Sequence, residues 1–121
     1  MDDTVFFNAD IDGQAFSTED VNAQSVFGLN SIIVPRDGDE ISFTFNGLEL
    51  GTYEVGGGNM NADISIGITH SSTSGSIVLT SYDESSRIIE GTMDGIVLTS
   101  GLPGISDITI DNAEFRAKFI F

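Results

Sequence analysis

Asn112-Ala-Glu-Phe-Arg-Ala-Lys-Phe-Ile-Phe121 is the stretch that decides the fold class. Ala113, Phe115, Ala117, Phe119 and Phe121 recur at every second position, and Glu114, Arg116 and Lys118 stand between them. A period of two belongs to a β-strand, whose successive side chains point to opposite faces. An apolar set opposite a charged set gives one buried and one wet face, which is how an antiparallel sheet behaves. The same grammar runs through the stretches before it. Gly75-Ser-Ile-Val-Leu-Thr-Ser-Tyr-Asp83, Arg87-Ile-Ile-Glu-Gly-Thr-Met-Asp94 and Asp107-Ile-Thr-Ile110 succeed one another without a helical break.

Working outward, Val5, Phe7, Ala9 and Ile11 alternate as a first strand. Asp12-Gly13 after it signals a hairpin, because both central residues of a type I′ turn take positive φ. A second strand follows through Ala15-Phe16-Ser17. Ser17-Thr-Glu-Asp20 has the form of a helix cap, but Val21, Ala23, Ser25 and Phe27 alternate and favour a strand. Ser31-Ile-Ile-Val34 is expected to stop at Pro35, with Arg36-Asp-Gly-Asp39 as a turn. Ile41, Phe43 and Phe45 alternate with Ser42, Thr44 and Asn46, and Asn46-Gly47 is a further hairpin signal. Gly51-Thr-Tyr-Glu-Val55 is a short strand ended by Gly56-Gly-Gly58, and Ile64, Ile66 and Ile68 form the next. Ser71-Ser-Thr-Ser-Gly75 reads as a polar loop and Gly101-Leu-Pro-Gly104 as a turn. About ten short strands at spacings of about 8–12 residues predict an antiparallel β-sandwich, with a partly closed up-and-down barrel as the alternative.

The 121 residues make one domain, residues 1–121. A chain of this size buries roughly two thirds of its exposable surface, enough for a core without crosslinks. There is no Cys, so disulfide and thiolate chemistry are excluded. Nineteen Asp and Glu stand against four Lys and Arg, a net charge of −15, and Lys118 is the only lysine. Nucleic acid is held by clustered cations that neutralise phosphates, and an anionic membrane surface by the same means; this composition argues against both. No apolar run approaches the length of a membrane-spanning helix. Met1-Asp-Asp-Thr4 has neither the basic nor the apolar segment of a signal peptide. The abrupt start of the first strand suits a chain trimmed upstream, with residues 1–4 as a linker remnant; a native cytosolic start is the simpler reading.

Candidate chemistry is sparse. The sharpest motif is Asn8-x-Asp10-x-Asp12-Gly13-x5-Glu19, whose spacing matches a calcium loop: oxygen ligands at alternate positions, a Gly for the turn and a distal acid. Asp10, Asp12 and Glu19 are therefore the candidate metal ligands, with calcium as the candidate ion. The first position holds Asn rather than Asp, and a strand stands where a calcium loop has a helix; an acidic hairpin is the simpler reading. Arg36-Asp-Gly-Asp-Glu40 is a second acidic turn. His70, the only histidine, has no Gly-x-Ser-x-Gly elbow to serve and reads as a solvated residue near a strand end. A glycosidase needs two carboxylates across a cleft, and nineteen acids supply some such pair by number alone. There is no Trp to stack a sugar, and Tyr53 and Tyr82 read as structural. Gly56-Gly-Gly-Asn59 has no Lys after it and no helix to follow, so phosphate binding is unsupported.

The frame Phe7-x-Ala9-x-Ile11-x-Gly13-x-x-Phe16, then Gly51-Thr-Tyr53, then Ser74-Gly-x-Ile-x-Leu79 with Tyr82-Asp83 and Ile89-x-Gly91-Thr-Met93, and a closing Ile108-Thr-Ile-x-Asn112-x-x-Phe115, resembles small exported domains of Bacteroidetes. Those are usually lipoproteins of unknown function with an all-β fold. The resemblance implies a cell-envelope or extracellular location, with a lipid anchor on a lipobox Cys of the precursor just before Asp2. It carries no catalytic residue over. The expected function is a non-catalytic exported or surface-anchored module, binding or structural, with a protein or carbohydrate partner and no nucleic acid. The alternative is a carboxylate-dependent hydrolase acting on an extracellular substrate. The charge yields a direct test: no duplex or single strand should be retained in a gel-shift at low ionic strength, and salt-sensitive retention would overturn that expectation.

Overall fold

The computed structural model describes residues 4–36, 39–55, 60–65 and 69–119. They form ten strands and, among the described residues, no helix. In chain order these are β1 (Phe6–Ile11), β2 (Gln14–Thr18), β3 (Asn22–Val26), β4 (Leu29–Arg36), β5 (Asp39–Asn46), β6 (Gly51–Glu54), β7 (Met60–Ser65), β8 (Thr69–Asp83), β9 (Ile88–Thr99) and β10 (Ile108–Lys118). They hydrogen-bond into one sheet in the order β2-β1-β10-β9-β8-β7-β5-β4-β3, and β6 pairs with β8 beside that path. Every strand pairing is antiparallel.

This bears out the antiparallel all-β reading and its strand number. The opposed walls expected of a sandwich belong to one continuous sheet curled into a half-barrel, close to the partly closed barrel. The curl brings β3 back to the end of β10, where Ala23 and Phe119 form an isolated parallel bridge. It also brings Phe7 of β1 onto Phe43 of β5, ring centroids 5.6 Å apart, although the strands are far apart in the sheet order. The core is the inner face of this curl. Phe7, Phe43, Phe45, Phe115 and Phe119 are its largest buried side chains, with Ile, Leu, Met, Val and Ala from nearly every strand between them. The alternation that opened the sequence reading holds on β10: Ala113, Phe115, Ala117 and Phe119 are buried, while Glu114 and Lys118 are exposed. Phe121 lies outside the described residues.

Several local expectations are corrected. β4 runs through Pro35 to Arg36 instead of stopping. Pro35 tolerates this because the β3 partner ends opposite Ile33, so no ladder donor is required on that side. Phe27 is not part of the third strand; Phe27 and Gly28 form the β3–β4 turn. At Asn46-Gly47 the chain does reverse, but β5 pairs with β7, while β6 lies against β8. Ser71 to Gly75 is not a loop. These residues extend β8, with shifts of register against β9 between Ser72 and Ser76 that absorb the irregularity. Asp37-Gly38, the Gly56 to Asn59 run, and Ile66 and Ile68 fall outside the described residues.

One glycine is required by space rather than by backbone angle. Gly91 on β9 is buried and faces Phe115 across the β9–β10 ladder. A Cβ there would collide with the Val78 carbonyl oxygen and lie 2.8 Å from Cζ of Phe115. The ring thus occupies the volume that a side chain would need. Gly91→Ala is expected to destabilise the protein by about 1–3 kcal/mol through overpacking, and Phe115→Ala by about 3–5 kcal/mol through the cavity it leaves. Urea unfolding midpoints measure both; a Gly91→Ala midpoint equal to the parent would show that ring and carbonyl can move aside.

Candidate functional site

The polar chemistry of the described residues gathers on the outer face where β1, β10 and β9 run side by side. The period of two breaks there. Two residues, Asp111 and Asn112, separate buried Ile110 from buried Ala113, and opposite them Asp94 and Gly95 separate Met93 from Ile96. Asn112 and Gly95 both take left-handed backbone angles, φ 52° and 64°. Side chains complete the ladder where it is disturbed. Gly95 N–H donates to Oδ1 of Asp111 at 3.0 Å, and Asn112 N–H donates to Oδ1 of Asp94 at 3.1 Å. The two carboxylates thus cap each other's strands.

Asp10 joins this group from β1. It pairs with Asp111 across the ladder, and its Oδ2 accepts from Nδ2 of Asn112 at 2.9 Å. Asp12 sits at the β1–β2 turn with φ 51° beside Gly13 at 79°, the type I′ form expected from Asp-Gly. Its Oδ1 accepts from Thr109 N–H at 2.9 Å, and its own N–H donates to the Thr109 carbonyl at 2.9 Å. This locks the hairpin tip to the start of β10.

The structure places Asp10 on β1 and Asp12 at the turn that ends it, and keeps Glu19 apart. Glu19 follows Thr18, which pairs with Phe7. At about 3.4 Å per residue it lies about 17 Å or more along the hairpin from Asp12. Among the described residues no group of three His, Asp or Glu side chains is arranged to hold a metal ion. The acids at Asp94 and Asp111 were missed in the sequence. Their signal was the slip of phase at Asp94-Gly95 and Asp111-Asn112.

His70 is buried, not solvated as expected. It projects from the start of β8, opposite Ile64, with Nε2 3.3 Å from the Ser106 carbonyl oxygen. It ties the long β9–β10 connection to the barrel. Both tyrosines are structural. Tyr53 packs on Phe45 and donates to the Glu49 carbonyl at 2.7 Å; burial and then the Glu49 charge push its phenol upward. Tyr82 meets Phe119 edge-on. Arg116 pairs with Glu90 at 3.6 Å and covers the Phe6 ring. Among the described residues, Phe6, Asn8, Ser17, Thr18 and Glu19 line one surface concavity, and Asn22, Ala23, Gln24 and Ile33 line another.

Residues 3–101 match the family described as a domain of unknown function (DUF6252), and the chain belongs to that family. The match stops before β10, although β10 pairs with both β1 and β9 inside the same sheet. No curated protein and no solved structure matches the chain.

Two outcomes follow from this face. The Asp94 carboxyl is held below its ordinary range, first by the Asn112 N–H and next by the Asp111 side chain. A folded pKa below the unfolded value of about 3.9 gives stability that is full above that pH and is lost as pH falls through the folded value. Asp94→Ala should therefore flatten the acid limb of a stability-versus-pH curve, and an unchanged limb would show that the cap adds nothing. For the calcium motif, a thermal melt in EDTA should shift no further with millimolar Ca²⁺ than with Na⁺ at equal ionic strength. A Ca²⁺-specific shift that Asp10→Asn with Asp12→Asn erases would establish the site.

Proposed function

For this member of a family whose description assigns no activity, we propose a non-catalytic exported module that binds or spaces other molecules in the cell envelope or outside the cell. The observation that carries this reading is the packing of the described residues inside the curl. Phe7, Phe43, Phe45, Phe115 and Phe119 are buried there, in the place where a ligand-carrying barrel keeps its cavity. The acids of the outer face are engaged in capping the strands, which is a structural task. The resemblance to small Bacteroidetes lipoprotein domains supports export and a lipid anchor on the precursor. A surface of this sign stays soluble and resists non-specific association with other acidic molecules.

The test is fractionation of cells that carry the natural gene. The protein should be recovered with the envelope or the medium, and recovery with a cytosolic marker would overturn export. The purified chain should turn over no ester, peptide or glycoside reporter; turnover that a single Asp or Glu substitution abolishes would make it a hydrolase.

A further inference from the structure

At the β3–β4 turn stands Phe27, and its placement is unfavourable twice over. The side chain is fully exposed, at 104% of the reference area. Its backbone is left-handed, φ 53°, followed by Gly28 at 80°. A turn of this kind prefers Asn, Asp or Gly at its first central position, because a bulky Cβ crowds the backbone there. Burial does not compensate, since the ring buries nothing within the chain. Neither packing nor turn chemistry accounts for a phenylalanine at this position, and conflicts of that kind concentrate at functional positions.

The ring does not stand alone. Leu29 next to it and Leu50 in the β5–β6 connection are also exposed, at 45% and 60%. The two segments are joined: Gly47 N–H donates to the Gly28 carbonyl at 3.3 Å, and Nδ2 of Asn30 donates to the Gly47 carbonyl at 2.8 Å. Leu29 pairs with Asn46 across the β4–β5 ladder. One end of the barrel therefore carries a hydrogen-bonded tip with three exposed large apolar side chains. Among the described residues the other exposed large apolar side chains, Leu102 and Ile105, lie in the β9–β10 connection at the other end.

Resting on the module reading above, we propose that this tip is the docking surface, and that its occupant is a partner protein offering an apolar pocket ringed by Lys and Arg. Charge selects among the occupants. Two copies of a chain at −15 repel each other, and so does an anionic bilayer. A zwitterionic bilayer gains nothing from the acids. A basic-rimmed pocket takes the Phe27 ring as its anchor while its cations meet the chain's acidic surface, beginning with exposed Glu49 beside Leu50. The hydrogen bonds that tie the tip to the barrel hold the anchor in place before contact, which lowers the ordering cost of binding.

The experiment places a benzophenone amino acid at Phe27 of the full chain in its native cells, with the same group at Leu102 as control. Any protein captured at position 27 is identified, purified and titrated directly. Support requires that its dissociation constant weaken at least about tenfold with Phe27→Asn and weaken again as NaCl rises from about 0.05 M to about 0.5 M. Phe27→Asn suits the turn better than phenylalanine does, so this variant should fold and melt at or above the parent temperature; a lower melt would remove the strain argument. Adducts only between copies of the chain, or flotation with phosphatidylcholine vesicles that Phe27→Asn abolishes, would overturn the proposal in favour of a second copy or a lipid surface. Capture at Leu102 but not at Phe27 would sink the tip and leave the module reading standing. An absence of adducts at both positions would also sink it.

Discussion

A sheet with no helix to cover it must cover itself. That constraint governs this chain: its strands carry an apolar inner face, and the described residues supply no helix to lay over it. The sheet curls until Phe7 reaches Phe43 and Ala23 reaches Phe119. The curl needs places where strands bend, and these are the irregular pairs at Asp94-Gly95 and Asp111-Asn112 and the register shifts along β8. Where a bend disturbs the ladder, the backbone donors it frees take another acceptor. Asp94, Asp111 and Asp12 do this with their carboxylates. Part of the acidity that looks like a solubility device is thus a consequence of curvature.

The strand content was legible because most inner positions alternate without interruption. Phe7 to Ile11, Ile41 to Phe45 and Ala113 to Phe119 are read correctly from period two alone. The Asp12-Gly13 hairpin was legible because only few residues accept two successive positive φ angles. What failed was decided by tertiary context. Ser71 to Gly75 looks like a loop by composition, yet neighbours on both sides supply the hydrogen bonds that hold it in β8. Phe27 fits the alternating pattern so well that the pattern misplaced it; only the pairing of Val26 with Leu29 makes it a turn.

The candidate site was less legible than the fold. A spacing motif counts residues along the chain, and Asn8 to Glu19 has the count of a calcium loop. Wound as a loop, those residues converge; folded as a hairpin, they are strung along it, so Glu19 is carried away from Asp12. The acids that do meet, Asp10 and Asp111, are about a hundred positions apart in sequence and share no local pattern. His70 shows the same limit, since its burial depends on Ser106 in a connection far downstream.

The sheet order has a consequence for how the chain is made. Of the strands in this sheet β10 comes last in chain order, yet it lies between β1 and β9, and Phe6 of β1 pairs with its Arg116. Until it emerges, β1 and β9 each present an open edge with unpaired backbone groups, and the curl cannot close. Contacts of such long sequence separation slow folding. During that interval the nascent chain is a half-finished sheet exposed to pairing with its neighbours. A strongly acidic surface then protects the chain before it is folded as well as afterwards, by keeping unfinished copies apart while they wait for β10.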